Sequence, residues 1–424
     1  MDGSPLTFRS EPCAAVDPLQ VFAAAGAAPR FYWEQPSAGC FRVGVGCAAR
    51  LTVRGHDRFR AADELARETF GRIGWEGPGP RISHLLGGFA FAPAQSTNGL
   101  WQGFADGELR LPELVYWRER DRYVRDARVG SQWTDLRPRP LSLGHPVRGV
   151  VEIGNGGPEP YVACVERILD GIRAGDLQKV VLAREVHITA GAPLDAVAWL
   201  VALRERYPGC TLFAVGEGDA VFLGASPERL VRVEGDVVVT AALAGTAPRG
   251  ASRTADHALG AALCDSSKNG AEHAIVVSHL RGALEGCCDE VEVASEPVLL
   301  RTRTVQHLCT EIRARRRAAA PVSLLELADR LHPTPAVGGD PRDAAMALIA
   351  RLEPGDRGRY AGPVGWVDGA GNGRWAVGIR SAELDGTEAR LWAGVGIVAD
   401  SDPQAELEET RAKAQAMLGA LVRL

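Results

Sequence analysis

Residues able to do chemistry gather most densely at 391–418, LWAGVGIVADSDPQAELEETRAKAQAML. A short apolar run carries Gly394 and Gly396, where backbone can come close to a ligand. Asp400, Ser401, Asp402 and Pro403 then give a helix-start signal. In the helix that follows, Glu406, Glu409 and Lys413 stand at i, i+3 and i+7 and project from one face. Leu407, Ala414, Leu418 and Leu421 share another face, suited to packing on the body of the protein. Two carboxylates and an ammonium beside a glycine-lined strand end could hold a metal and an anion. For this stretch alone, a solvated helix with an i,i+4 Glu409–Lys413 pair is the commoner outcome.

Other segments offer matching chemistry. Lys179 opens the apolar run KVVLAREVHIT. It can snorkel to solvent, or sit in a cleft with other cations, where its pKa would fall and suit a general base. Glu228 lies in GASPER, a tight connection that is either an ordinary turn or a rigid holder of a carboxyl group over a pocket. Gly245-Thr246 can offer a backbone N–H and a hydroxyl to an anion. Glu272 and His273 fall in the first turns of an amphipathic helix that opens KNGAEH, where such a pair is more often structural than a ligand pair. The 332–336 loop, HPTPA, is stiffened by its prolines. Arg380 stands among small and apolar residues in AVGIRSAEL, where a guanidinium needs an anionic partner. The common target of these groups is a small, multiply anionic substrate held partly through a metal.

The elements that must position these groups follow from periodicity and punctuation. The chain has 424 residues, 46% hydrophobic, ample for a large core. Net charge is −5 with no dominant sign, which argues against nucleic acid as a partner. Nine cysteines show no CxxC spacing, so reduced thiols are the default. The N-terminus has no basic stretch leading into an apolar core, and no apolar run approaches 18 residues. These features predict a cytoplasmic protein without a membrane span. Residues 1–150 read as a β-rich scaffold, with strands at 41–45, 51–53, 87–91, 113–117 and 123–129 and a helix at 57–72. Tryptophans 33, 75, 101, 117 and 133 point to a packed layer. A Pro/Gly-rich connection at 137–160 leads to the region 151–424. There, helices are expected at 161–174, 194–206, 253–264, 268–285, 322–331 and 341–352, before the terminal helix. Strands are expected at 179–189, 211–215, 220–224, 231–233, 237–240, 290–301, 362–367, 374–384 and 389–398. Hairpins grouped with helices predict an α+β fold, with large antiparallel sheets flanked by helices.

The second half resembles the chorismate-utilising enzymes: isochorismate synthase, salicylate synthase and the large subunit of anthranilate synthase. The resemblance rests on KVVLAR, GASPERL, LAGTAPRG, the EHAIVV helix, VQHL, GPVGW, IRSAEL, AGVGIV and ELEETRAK, in that order, over roughly 161–418. Gly87 to Phe91 carry a fainter echo. HPTPAV at 332–337 and GNGRWAVGIR at 371–380 look like the isochorismate synthase branch. Anthranilate-type enzymes carry an SGAPK-like tract where this chain has VGGDPRD, and salicylate synthases also differ there.

The resemblance implies the anthranilate synthase component I-like fold and an Mg²⁺-dependent conversion of chorismate to isochorismate. That reaction would serve siderophore, salicylate or quinone biosynthesis. It assigns Lys179 as the base that activates water for attack at C2, and Glu228 as the acid that protonates the departing C4 hydroxyl. Glu272 and Glu409 match Mg²⁺ ligands, and Glu406 a nearby acidic residue holding metal-bound water. Gly245, Thr246, Arg380, Gly394, Gly396 and Lys413 match positions that bind carboxylates or enclose the ring. His273 and His307 are motif positions whose roles the motif leaves open between substrate and structure. Asn269 departs from the family's usual Asp or Glu three residues before Glu272, removing a negative charge near the metal. The rival readings are a salicylate synthase, which goes on to eliminate pyruvate, and a catalytically silent chorismate-binding member. The small-molecule partner that the resemblance implies is chorismate, and it leaves room for a downstream isochorismate-using enzyme as a protein partner.

Overall fold

The computed structural model describes residues 6–93, 105–141, 145–147, 151–154 and 157–422. Trp101 and most of the loop after Phe91 lie outside these residues. Two sheets form the body. The first has 13 strands, and its central order runs Lys179–Ala190, Glu388–Ile397, Ser381–Asp385, Ala220–Ser226, Thr211–Glu217, Arg30–Gln35, Cys40–Val45. The second has ten strands. It runs from Cys288–Val293 through Val305–Arg316, Val237–Pro248, Arg229–Glu234, Gly373–Val377 and Pro363–Asp368 to His84–Phe89, Gly107–Leu111 and Ala49–Val53. The pairings are antiparallel except Leu6–Pro12 with Ile73–Glu76. Strands from before and after residue 150 are neighbours in both sheets.

Burial explains the layering. One face of the first sheet packs on the second: Phe31, Trp33, Phe213 and Phe222 meet Phe89, Val231, Trp366 and Trp375 in one apolar cluster. Trp33 meets Trp366 edge-on, with ring centroids 6.2 Å apart. The other face carries Tyr32, Val43, Leu212 and Leu223 against Leu19, Phe22, Trp199, Leu203, Met417 and Leu421 from helices Pro18–Ala24, Ala196–Arg206 and Pro403–Val422. Helices on the outer face of the second sheet include Ser267–Glu285 and Leu324–Leu331. Strands so covered on both faces read as continuous apolar runs, as KVVLAR does. No helix among the described residues is long and apolar enough to cross a membrane.

Most expected elements appear within a few residues of their places. Three differences have physical causes. The expected strand 290–301 is two strands, Cys288–Val293 and Val298–Arg301, broken at Ala294-Ser295-Glu296-Pro297, because proline cannot donate to the ladder. The expected strand 374–384 is also two, Gly373–Val377 and Ser381–Asp385, and they lie in different sheets. The Pro/Gly-rich connection contains a strand, Val151–Gly154, paired with residues 187–190. Among the tryptophans, Trp33 and Trp117 are buried, while Trp75 and Trp133 are only partly so.

Arg374 ties the two sheets together. From the second sheet its guanidinium donates to Gln35 at 3.0 Å and to Glu119 at 2.7 Å on the first, and to Glu234 at 2.9 Å beside it. Arg374→Met leaves these acceptors without their shared donor. It is expected to cost about 3 kcal/mol, read as a lower urea midpoint, and a change below about 1 kcal/mol would show the tie to be marginal.

Candidate active site

The chain passes from one sheet to the other at Pro227-Glu228, between Ala220–Ser226 and Arg229–Glu234. It passes back at 378–380. Each crossing interrupts the ladder and frees a residue to point into the gap between sheets. Glu228 and Arg380 are delivered in this way to one cavity, so Arg380 lies in a break rather than on a strand. The Arg380 backbone has a φ of 49°, an unusual left-handed conformation for a side-chain-bearing residue. Ala225 N–H donates to the Arg380 carbonyl at 2.9 Å and closes the crossing.

The cavity is also lined by Gly245, Thr246, Glu272, His307, Tyr360, Gly394, Gly396 and Lys413. About 50 Å³ remains open among them. A ligand larger than a few waters must therefore displace the long arms of Arg380 and Lys413. Burial pushes the Glu228 carboxyl up to about 7, although Lys179, Arg380, the Thr334 hydroxyl and Lys413 all pull it down. Glu228 is 6% exposed, and Thr334 Oγ1 donates to its Oε1 at 3.5 Å. Burial, with Arg380 and Lys413 nearby, keeps His307 well below its ordinary value and so neutral. Its Nε2 accepts from Arg380 Nη2 at 3.5 Å, which leaves the proton on Nδ1, 3.1 Å from Thr246 Oγ1. Among the described residues that contact is the only hydrogen bond of the Arg380 guanidinium.

Three carboxylates beside the cavity are each held by a lysine. Lys179 Nζ is 2.8 Å from Glu272 Oε1, and Lys179 is 1% exposed. Lys268 is 2.9 Å from Glu406, and Lys413 is 2.7 Å from Glu409. Lys413 also donates to the Gly394 carbonyl at 2.9 Å. Burial acts to raise Glu409, but Lys413 beside it outweighs that and holds the carboxyl below its ordinary value. Burial pushes Glu406 up, against hydrogen bonds from Ser401 and Lys268.

The glycines answer to these pairs. A Cβ on Gly396 would stand 2.5 Å from Glu272 Oε1 and 2.7 Å from Lys179 Cε. A Cβ on Gly394 would stand 2.9 Å from the Tyr360 hydroxyl. Both glycines thus make room for protein side chains at the cavity wall. Gly245 has a φ of +76°, which turns the chain so that Thr246 N–H donates to Asn269 Oδ1 at 3.2 Å. Asn269 Nδ2 donates to Ser266 Oγ at 2.8 Å, so both ends of the amide are used at the helix start.

Residues 3–136 and 144–422 match the family model described as chorismate binding enzyme. The chain belongs to this family. It is 41% identical to the salicylate biosynthesis isochorismate synthase of Pseudomonas aeruginosa, over 98% of this chain and 89% of that protein. It is 32% identical to the isochorismate synthase MenF of Bacillus subtilis, over 98% and 93%. The solved structure of MenF, the menaquinone-specific isochorismate synthase from Escherichia coli, superposes with a TM-score of 0.82 at 28% identity, covering 98% of this chain and 96% of that one.

In this chorismate-binding enzyme, the cavity wall holds Glu228, Gly245, Thr246, Glu272, Arg380, Gly394, Gly396 and Lys413 of the residues expected from sequence. Lys179, His273, Glu406 and Glu409 stand outside the lining. Lys179 lies behind Glu272 because a buried ammonium needs a counter-charge. His273 points away, with its Nε2 2.7 Å from Thr310 Oγ1. Glu406 is turned to Lys268. The expected centre of Glu272, Glu406 and Glu409 is not assembled as a metal cluster: no group of three His, Cys, Asp or Glu suited to a metal occurs among the described residues. The lysines neutralise the carboxylates one by one. The donor chemistry still fits a hard divalent cation, since all three carboxylates act on the single ammonium of Lys268. Tyr360 reaches the site without having stood out in the sequence, while Thr334 and Lys268 lie in tracts singled out there, HPTPA and KNGAEH, without being assigned a role. Only tertiary contact marks Tyr360; the proline-stiffened HPTPA loop was the signal available for Thr334, and the helix start KNGAEH, with carboxylates at 265 and 272, that for Lys268.

The folded protein holds the Glu228 proton up to about pH 7, whereas an exposed glutamate releases it near 4.5. Stability at this group therefore falls as pH rises through that window, by about 3 kcal/mol once above it. Glu228→Gln removes the slope, so its stability relative to wild type should rise between pH 5 and pH 8 in urea unfolding. An identical difference at both pH values would mean that Glu228 is ionised throughout.

Proposed function

We propose that the protein is an Mg²⁺-dependent isochorismate synthase, which adds water at C2 of chorismate and releases the C4 hydroxyl. The observation that carries this reading is the buried Glu228, whose carboxyl keeps its proton to about pH 7 on the wall of a cavity rich in cations. A departing hydroxyl needs such an acid at neutral pH. The isochorismate synthase names of relatives at 41% and 32% identity support the same reaction.

Each residue then has a definite task. Arg380, which has no ion pair among the described residues, binds a substrate carboxylate, and Lys413 gives the second cationic arm. Thr246 and neutral His307 offer uncharged donors and acceptors, while Gly394 and Gly396, by leaving room for Tyr360 and the Lys179–Glu272 pair, and Gly245 shape the wall that encloses the ring. Glu272 and Glu409, with Glu406 beside them, would hold Mg²⁺, which when bound would supply divalent charge for a substrate carboxylate. Lys179 takes a proton from the attacking water. It does so as the free amine, so the working state is one in which Glu272 no longer holds an ammonium there. Glu228 gives its proton to the C4 oxygen, which leaves as water. Base and acid then exchange protons with solvent and the cycle closes. Residues 1–150 serve as scaffold and 151–424 carry the chemistry.

Purified protein with chorismate and Mg²⁺ should yield isochorismate on chromatography, with turnover lost in EDTA and restored by added Mg²⁺. Salicylate and pyruvate formed without a second enzyme would overturn the reading in favour of a salicylate synthase. Lys179→Ala is expected to lose about 10²–10⁴-fold in kcat while chorismate still binds; a near-wild-type rate refutes its role as base. Gly396→Ala, whose methyl group falls on the buried Lys179–Glu272 pair, should lower both kcat and the melting temperature, the latter by the equivalent of about 1–3 kcal/mol.

A further inference from the structure

A second cavity, of about 660 Å³, opens on the far side of Arg357. That volume is in the range of sites for small organic ligands. Phe91, Pro333, Met346 and Ile349 give it apolar walls. Arg58 and Arg342 give it charge. Arg58 is 6% exposed and has no ion pair among the described residues. Its two hydrogen bonds, to the carbonyls of Gly55 and Ala90, are both long at 3.4 Å, and its Nε has no partner. A guanidinium so placed is short of counter-charge, since burying a charge without a partner is costly.

Four carboxylates, Asp329, Asp343, Glu353 and Asp356, share the lining with three guanidiniums, but none of them forms an ion pair with Arg58 among the described residues. Asp329 is pushed up by burial and feels both Arg342 and Arg58, and Asp106 acts on Arg58 from further away without an ion pair. Glu353 is taken by Arg357, 2.5 Å away. Asp356 accepts from Gly358 N–H at 2.8 Å, and Asp343 is exposed to solvent.

The floor of this cavity is built into the wall of the reaction cavity. Arg357 donates to the carbonyls of Val337 and Val181, each at 2.8 Å, and both residues line the reaction cavity. Glu353 Oε1 accepts from Ala183 N–H at 2.8 Å. Val181 and Ala183 belong to the strand that begins with Lys179, and they pair with Gly396 and Gly394. A shift of the Glu353–Arg357 pair must therefore move backbone that places Lys179 and both glycines.

We propose that this second cavity is an effector site for a small carboxylate with an apolar body, and that its occupancy is relayed to the reaction cavity through Glu353 and Arg357. The ligand carboxylate meets Arg58 and Arg342, and its apolar body fills the space between Phe91 and Met346. Coupling of this kind changes affinity at the other site by about fivefold or more.

Benzoate is a suitable probe, titrated by calorimetry into wild type, Ala350→Trp, Arg342→Glu and Lys179→Ala. Ala350 and Arg342 line the cavity from exposed positions, so neither change disturbs the core. Benzoate should bind wild type and Lys179→Ala alike. It should bind at least tenfold more weakly to Ala350→Trp and to Arg342→Glu. With chorismate as substrate, saturating benzoate should change kcat or KM by about fivefold or more in wild type, without the pattern of simple competition, and should have no such effect on Ala350→Trp. Purely competitive inhibition, binding that survives Ala350→Trp, or no binding to wild type at millimolar concentration would each overturn the proposal.

Discussion

A lysine ammonium taken out of water must be matched by a carboxylate, and the site depends on three such matches. Lys179 with Glu272, Lys268 with Glu406 and Lys413 with Glu409 hold six charges in fixed register between one sheet and two helices. Space has to be left for them. Gly396 has no side chain because the Lys179–Glu272 pair stands where its Cβ would be. Left unpaired, any of these groups would cost far more than an exposed ion pair contributes.

The pairs set the charge, and the crossings between sheets set the direction. A strand residue alternates between faces and cannot address the gap at a sheet edge. Glu228 and Arg380 do so because each sits where the chain leaves one sheet for the other. The same geometry that desolvates Glu228 puts three cations near it, and burial still prevails, so an acid stays protonated amid positive charge. Among the described residues Arg380 forms no ion pair with a carboxylate, although Glu409 acts on it from further away, and it can take one that arrives with a ligand.

Behind this cavity, the Glu353–Arg357 pair does structural work on the other side of the same strand. It fixes the backbone of Val181 and Ala183 from below while Gly394 and Gly396 pair with them laterally. The strand that carries Lys179 is thus held on both sides, and a second, larger cavity abuts one of those holds.

Much of this was legible in the chain. Period and punctuation placed most of the elements after residue 160, but not the strand Val305–Arg316 or the second half of Val237–Pro248, and the ordered motifs pointed to Glu228, Thr246, Glu272, Arg380 and Lys413 as one set. Asn269, which reads as a lost charge, turns out to use both ends of its amide at the helix start. The strands Leu6–Pro12 and Arg30–Gln35 and the helix Pro18–Ala24 were not legible, since short apolar runs near Gly and Pro look alike whichever element they form. The run 374–384 reads as one strand because periodicity records burial and not which sheet provides it. The sequence by itself determined most of the local elements, the family and the residue types at the site, for these depend on near neighbours and on ordered motifs. Only the tertiary structure decided that Lys179 lies behind Glu272, that His273 faces Thr310, and that Tyr360 reaches Gly394. Pairing, burial and protonation depend on distances between segments far apart in the chain, and no local pattern encodes them.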